Sequence, residues 1–123
     1  MVRRGFTLIE LLVVLAIVAM LLTLTVPRYF HSIDQAKETI LIDNLRTTRD
    51  VIDKFYADSG RYPETLDELV DKKYLRALPY DPVLESDQKW LLLAPADDKK
   101  GKIHDLKSTA PGQTRDGRPY AQL

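Results

Sequence analysis

"GFTLIELLVVLAIVAMLLTLTV", residues 5–26, is the stretch that decides the architecture of this chain of 123 residues. Every residue from Leu11 to Leu22 is apolar, and the run continues to Val26 with only threonines as polar interruptions. A helix over the quoted stretch is about 30 Å long, which is enough to cross a bilayer. A secretory signal would have a shorter apolar region followed by a small-residue cleavage site, and none occurs before Pro27. The sequence therefore predicts a retained membrane helix.

The charges that flank the apolar run predict its orientation. Arg3 and Arg4 precede it, and Arg28 follows it. Because cytoplasmic flanks of membrane helices are enriched in Lys and Arg, this modest asymmetry places the N-terminus in the cytoplasm and the rest of the chain outside.

Composition excludes several functional classes. Lys plus Arg and Asp plus Glu both total 18, so no net charge favours nucleic acid or an anionic surface as a partner. The chain has no cysteine, which excludes disulfides, thiolate catalysis and Cys-type zinc sites.

The sequence after the membrane run predicts a small α+β head. Apolar residues recur at helical spacing from Ile33, through Ile40, to Tyr56, and Gly60 is placed to end that helix. Thr65 and Glu68 form a T-x-x-E capping box for a second helix that runs to about Lys73. The charged face of the long helix is expected to be solvated. That face contains Arg46, Arg49, Asp50, Asp53 and Lys54.

Two short strands are predicted in the last third of the chain. "LPYDP", residues 78–82, is a loop because it carries two prolines. "KWLLLAP" (89–95) and "GKIHDLKS" (101–108) are predicted to pair as an antiparallel hairpin. The tail is expected to be a packed loop with a strand-like piece around Tyr120.

The N-terminal motif "RGFTLIELLVVLAIVAMLLTLTVPRYF", residues 4–30, resembles the class III signal of type IV pilins and type II secretion pseudopilins. The resemblance implies that a prepilin peptidase removes the leader 1–5 by cutting between Gly5 and Phe6, and that it N-methylates Phe6. It also implies that the apolar helix remains on the mature chain.

Glu10 is the one carboxylate inside the apolar run. An ionised carboxylate in a bilayer segment costs about 2.5 to 3.5 kcal/mol, so such residues usually have a partner and a role. Cleavage after Gly5 creates an α-amine at Phe6, which is protonated at neutral pH and lies about 6 Å along the helix axis from Glu10. The resemblance implies that Glu10 meets the Phe6 amine of an adjacent subunit. The alternative is a carboxylate that reaches water by itself near the lipid head groups.

Pro27 removes a helical hydrogen bond to the carbonyl of Thr23 and is expected to kink or locally melt the helix. It either marks the end of the spanning segment or acts as a hinge. The resemblance implies a hinge at which the helix can unwind during assembly.

The head extends the resemblance to the major pseudopilin, the G subunit, through "SGRYPETLDELV" (59–70) and "LPYDP". Val83 and Leu84 stand where that family usually has Trp-Gly. The resemblance implies a type IV pilin-like α+β fold with a long N-terminal helix, a second helix and a short antiparallel sheet. The expected segments are the leader 1–5, the membrane and filament-core helix 6–27, and the periplasmic part 28–123.

No catalytic, cofactor or metal site is predicted from the residues themselves. Gly112 and Gly117 lack the Lys and Ser or Thr of a phosphate-binding loop, and His31 and His104 are isolated in sequence. The resemblance alone implies that calcium could bind near the C-terminus. The candidate ligands are Asp97, Asp98, Asp105 and Asp116.

The resemblance thus implies a structural subunit that polymerises into a periplasmic pseudopilus of a type II secretion system, and the residues themselves indicate no enzyme. The implied partners are copies of itself, minor pseudopilins, the prepilin peptidase, an inner-membrane assembly platform and an outer-membrane secretin. The expected location is the inner membrane, with a single crossing and a periplasmic head. The alternatives are a type IV pilus pilin and a membrane-anchored binding domain that does not polymerise.

Overall fold

The computed structural model of the chain describes Gly5 and residues 7–123, with Asp98 described by its backbone alone. It contains two α-helices and one two-stranded antiparallel sheet, which confirms the predicted α+β, pilin-like class. Contacts divide the chain between Asp34 and Gln35 into two units, and each is described by itself. The elements are α1 (Leu8–Ser59), α2 (Leu66–Asp71), β1 (Trp90–Leu93) and β2 (Asp105–Ser108).

The first unit consists mainly of the N-terminal half of α1. Thr7 caps this helix, because its hydroxyl accepts a hydrogen bond of 3.1 Å from the Glu10 amide. The helix continues through Pro27 without interruption. The local melting that was considered at Pro27 is therefore absent from the single chain.

The C-terminal half of α1 carries the core of the second unit. Its fully buried positions recur at alternating steps of four and three residues, which places them on one face of the helix. They are Leu41, Leu45, Thr48, Ile52 and Phe55. Ile40, which the periodicity included in this stripe, lies beside it and is 47% exposed. The remaining core side chains come from α2, the sheet and the segment before β2, and are Leu66, Leu69, Trp90, Ile103 and Leu106.

The start of α2 follows the predicted cap with one difference. The Thr65 hydroxyl accepts a hydrogen bond from the Glu68 amide at 3.2 Å, as expected. The Glu68 carboxylate reaches the amide of Glu64 and not that of Thr65. The helix ends at Asp71, two residues before the predicted end, because Lys73 adopts a left-handed conformation with φ of 66°.

An ion pair fixes the turn between α1 and α2. The Arg61 guanidinium makes two hydrogen bonds, of 2.8 and 3.1 Å, to the Glu68 carboxylate and lies over the Phe55 ring. The Arg61 hydrogen bonds hold the pKa of Glu68 below its ordinary value. The pair therefore stabilises the head above the ordinary carboxyl pKa, and this stability is lost as the pH falls through the lowered pKa.

The hairpin pairs β1 with β2 in an antiparallel register that places Trp90 opposite Ser108 and Leu93 opposite Asp105. The strands are shorter than predicted, and a 3₁₀ turn, Asp98–Lys100, lies in their connection. The predicted hairpin is therefore confirmed, with four residues in each strand.

The proline-rich loop is organised by a buried carboxylate. Asp81 is only 1% exposed and accepts hydrogen bonds from the amides of Val83 and Leu84 at 2.9 and 3.2 Å. Its second oxygen accepts a hydrogen bond of 2.5 Å from the hydroxyl of Ser108 in β2. Because each acceptor is satisfied, the buried carboxylate joins the loop to the sheet without an unpaired polar group.

The tail differs from the sequence prediction around Tyr120. Residues Tyr120–Gln122 form a 3₁₀ turn closed by a hydrogen bond from the Gln122 amide to the Pro119 carbonyl. The strand-like piece predicted there is limited to one antiparallel bridge between Pro119 and Gln113, directly before the turn. Tyr120 and Leu123 pack against the core, and this tertiary contact favours the compact turn over an extended strand.

Gly101 is expected to be the glycine that the head tolerates least when substituted. Its φ is 110°, and a Cβ atom built there would overlap the main-chain carbonyl of Tyr62. We expect Gly101→Ala to lower the free energy of unfolding by about 3 kcal/mol or more. Gly117→Ala is the matched control, because φ there is 89° but a Cβ would meet no atom within 4 Å.

Urea unfolding followed by the fluorescence of Trp90 measures both variants. Gly117→Ala is expected to lower the free energy of unfolding by about 1 kcal/mol, through backbone strain alone. If the two variants lose the same free energy of unfolding, a packing role for the Gly101 backbone is contradicted.

Candidate assembly site

The first unit presents an apolar surface that nothing in the described chain covers. Every residue from Thr7 to Ser32 is exposed, including Leu8 at 77% and Leu24 at 66%. The described residues contain one helix, α1, that is long and apolar enough to cross a membrane. A helix that is apolar on all sides requires lipid or other protein around it. The N-terminal half of α1 is therefore a surface for a membrane or for neighbouring subunits.

Glu10 lies in the first turn of α1, within this exposed apolar surface. Its amide is capped by Thr7, whereas its carboxylate has no hydrogen bond or ion pair with any other described residue. The amino end of a helix dipole favours a negative charge at this position. The carboxylate is thus held at the end of the helix and is free to meet a cation from outside the described chain.

Thr7 and Glu10 show the same T-x-x-E capping pattern as Thr65 and Glu68. The predictions from sequence do not include a cap at Thr7, since Glu10 stands out there as a charge within an apolar run. Glu10 therefore has two separable properties, a place in a helix cap and a negative charge.

The predicted processing site lies only partly in the described chain. Gly5 is exposed and precedes α1, and a Cβ atom at Gly5 would meet no other atom within 4 Å. No contact in the described chain therefore requires glycine at this position. Phe6, the predicted site of N-methylation, lies outside the described residues.

The region before Pro27 concentrates features that weaken a helix. Pro27 cannot donate a hydrogen bond to the carbonyl of Thr23. The hydroxyls of Thr23 and Thr25 donate to the carbonyls of Ala19 and Leu21, each at 2.8 Å. Such hydroxyl bonds slightly destabilise helices and often bend them. This stretch of α1 is therefore suited to local unwinding.

In the second unit, one arginine connects α1 to the C-terminal residues. Arg49 donates hydrogen bonds to the Asp105 carboxylate at 2.7 Å, to the Leu106 carbonyl at 3.0 Å and to the Leu123 carbonyl at 2.7 Å. We call this set of contacts the Arg49 clamp. The prediction that Arg49 belongs to a solvated face is wrong, since its guanidinium joins three acceptors from other parts of the chain.

The four carboxylates considered for calcium do not form one site among the described side chains. Asp97 caps the 3₁₀ turn through the Lys99 amide, and Asp105 belongs to the Arg49 clamp. Asp116 accepts hydrogen bonds from Thr114 and Arg118, and nothing is described of the Asp98 side chain. Calcium needs six to eight converging oxygens, and no group of three or more carboxylates or other metal-ligating side chains occurs in the described part of the chain. The described side chains therefore do not fit a calcium ion.

The two histidines lie in different units. His31 is exposed on α1, and His104 lies just before β2, with its Nδ1 atom 2.9 Å from the Leu93 carbonyl.

Comparisons with known proteins complete the description of the site. The family model for the prokaryotic N-terminal methylation motif matches residues 1–26. The chain is 35% identical over 96 residues to the type II secretion system core protein G of Pseudomonas aeruginosa, covering 65% of this chain and 68% of that protein. It is 31% identical to the core protein G of Klebsiella michiganensis, with the same coverage, and to that of Aeromonas hydrophila, with coverage of 65% and 67%. No solved structure matches the chain.

Proposed function

The chain belongs to the family of type II secretion system core protein G, and on that premise we propose that it polymerises into a periplasmic pseudopilus. Its role is structural, and the work of moving secreted proteins is supplied by other components of the system. The monomer is the inner-membrane precursor of the filament.

The observation that carries this proposal is the uncovered apolar surface of α1 from Thr7 to Ser32. Exposed apolar patches larger than a few hundred Å² mark binding or membrane surfaces. In the precursor, lipid covers this surface. In the filament, the same surface is covered by the apolar helices of neighbouring subunits, while the heads lie outside.

Identical subunits that contact each other through different surfaces form open helical filaments. A filament of this kind needs a feature that fixes the axial position of each subunit. We assign that role to Glu10, paired with the α-amine that cleavage creates at Phe6 of a neighbouring copy. A buried charge pair adds little net stability compared with apolar packing, but it is well suited to specifying register.

The head and the hinge have complementary roles in the proposed filament. The buried core between α1, α2 and the sheet keeps the head rigid. The stretch around Pro27 lets α1 unwind locally when the filament is extended.

The proposed setting follows from the family. The precursor crosses the inner membrane once, with its N-terminus in the cytoplasm and its head in the periplasm. A prepilin peptidase cuts between Gly5 and Phe6 and methylates the new amine. An inner-membrane platform, minor pseudopilins and an outer-membrane secretin are the remaining partners.

Intact-mass spectrometry of sedimentable assemblies tests the proposal. The assemblies are sheared from native host cells, with a strain that lacks the inner-membrane platform as the control. We expect a chain that lacks residues 1–5 and carries one added methyl group, in an amount that depends on the platform. A full-length chain, or one found only as a membrane monomer, would favour the anchored binding domain.

The type IV pilus alternative is distinguished by phenotype. Deletion of the gene is expected to stop the secretion of folded proteins into the medium while leaving twitching motility and DNA uptake unchanged. Normal secretion with loss of twitching would assign the chain to a pilus.

A further inference from the structure

The C-terminal segment, defined as residues 105–123, is held to α1 by a positively charged side chain. In the Arg49 clamp, one guanidinium donates to Asp105, to Leu106 and to Leu123, at distances of 2.7 to 3.0 Å. The ammonium group of Lys107 also lies 3.4 Å from the Leu123 carbonyl. Three acceptors at this point, one carboxylate oxygen of Asp105 and the carbonyls of Leu106 and Leu123, are therefore already bound to cationic donors.

The loop within this segment closes on itself. The hydroxyl of Thr114, which is only 3% exposed, donates to the Asp116 carboxylate and accepts from the Arg118 amide at 3.1 Å. The Arg118 side chain donates to the same carboxylate at 3.0 Å. These two partners hold the pKa of Asp116 below its ordinary value, so the carboxylate is ionised and bound within its own turn.

We propose that the C-terminal segment of this chain is fastened without calcium, by the Arg49 clamp together with the Thr114, Asp116 and Arg118 contacts. A calcium ion bound to Asp105 would lie beside the Arg49 guanidinium. The two positive charges would repel each other. A calcium ion at Asp116 would have to displace Arg118. The arginines thus take the place of the metal that the sequence resemblance implied.

The proposal does not depend on filament assembly. It concerns the fold of the head, and it can be correct whether or not the chain polymerises. In a filament, it would make the subunit insensitive to calcium chelation, because the C-terminal segment is connected to α1 by the hydrogen bonds and the ion pair of Arg49.

Thermal unfolding of the full chain in detergent micelles tests the proposal. The protein is measured in calcium chloride, in magnesium chloride and in EGTA. If the chain had a calcium site, a free calcium concentration of 100 times its Kd would raise Tm by more than about 10 °C for a domain of this size. We expect the Tm values in calcium chloride and EGTA to agree within about 1 °C.

A matched pair of variants then identifies the clamp. Arg49→Gln is expected to lower Tm by about 5 °C or more, since hydrogen bonds to charged groups are among the stronger ones. Arg46→Gln is the control, because Arg46 lies one turn away on α1 and has no hydrogen bond or ion pair with other described residues. Arg46→Gln is expected to leave Tm unchanged.

Hydrogen exchange distinguishes local release of the C-terminal segment from destabilisation of the whole head. In Arg49→Gln, amides of residues 105–123 are expected to exchange faster, while those of α2 remain as in the parent chain. If Arg49→Gln does not yield folded protein, Asp105→Asn takes its place in the same comparison. A rise in Tm with calcium, or identical behaviour of the Arg49 and Arg46 variants, would overturn the proposal.

Discussion

Glu10→Gln is expected to abolish filament assembly while the chain still inserts into the membrane and is still cleaved. The carboxylate is exposed on an apolar helix, without a partner among the described residues. Removing its charge makes insertion easier by about 2.5 to 3.5 kcal/mol. It also leaves the Phe6 amine of a neighbouring subunit unpaired in an apolar filament core, which costs about 2 to 5 kcal/mol. The affinity of each contact between subunits then falls by more than about tenfold.

Glutamine is the informative replacement because it separates the two properties of Glu10. The Thr7 cap uses the main-chain amide of residue 10, so Gln keeps this cap and removes only the charge. Thr7→Ala is the matched variant, since it removes the side-chain cap, at a cost of about 1 kcal/mol, and retains the charge. We expect Thr7→Ala to assemble and Glu10→Gln to fail. The measurement is the sedimentable fraction of each variant, and normal filaments from Glu10→Gln would refute the charge pair.

Gly5→Val is expected to block processing completely and, as a consequence, to prevent assembly. A Cβ at Gly5 would meet nothing within 4 Å, so the larger side chain does not disturb the described chain. We therefore attribute the expected requirement for glycine to recognition of the leader by the proposed peptidase. Without cleavage, no α-amine forms at Phe6, and Glu10 has no partner in the filament.

Mass spectrometry of membrane extracts measures this effect as precursor that keeps residues 1–5. Leu8→Val, a change at an exposed apolar position on α1, is the control and is expected to be processed normally. Cleavage of Gly5→Val at the normal rate would show that the leader is recognised in another way.

The elements that depend on local signals were predictable from sequence. The apolar run, the left-handed Gly60 after α1, and the Thr65 cap each have a signature within a few residues. The hairpin followed from two short apolar runs separated by a polar turn. In each case, the residues that specify the structure are neighbours in the sequence, so their composition and spacing are sufficient to predict the element.

Contacts between distant segments were not predictable in the same way. Arg49 joins residues 56 to 74 positions away, and its charge alone suggested a solvated surface. One signal was available, because Arg49 lies four residues after Leu45 and three before Ile52, at the border of the core stripe. The buried Asp81 and its partner Ser108, 27 positions apart, had no local signature at all.

The proposed assembly site has more conspicuous sequence signals than the head contacts. Glu10 is conspicuous as a lone charge in an apolar run, and Gly5 marks the end of the leader motif. The Thr7 cap could have been found from the same T-x-x-E pattern that located α2. Each chain carries both Glu10 and Phe6, but the proposed pair joins Glu10 of one copy to Phe6 of another, so the structure of a single chain does not display it.

The central claim is that the amine of Phe6 in one subunit pairs with the carboxylate of Glu10 in another. Electron cryomicroscopy of the assembled filament tests it most directly, through the distance between these two groups. We predict a nitrogen-to-oxygen separation within about 4 Å, the usual limit for an ion pair, between neighbouring copies. A filament in which Glu10 faces solvent, or lies too far from every Phe6 amine to pair, would contradict the account.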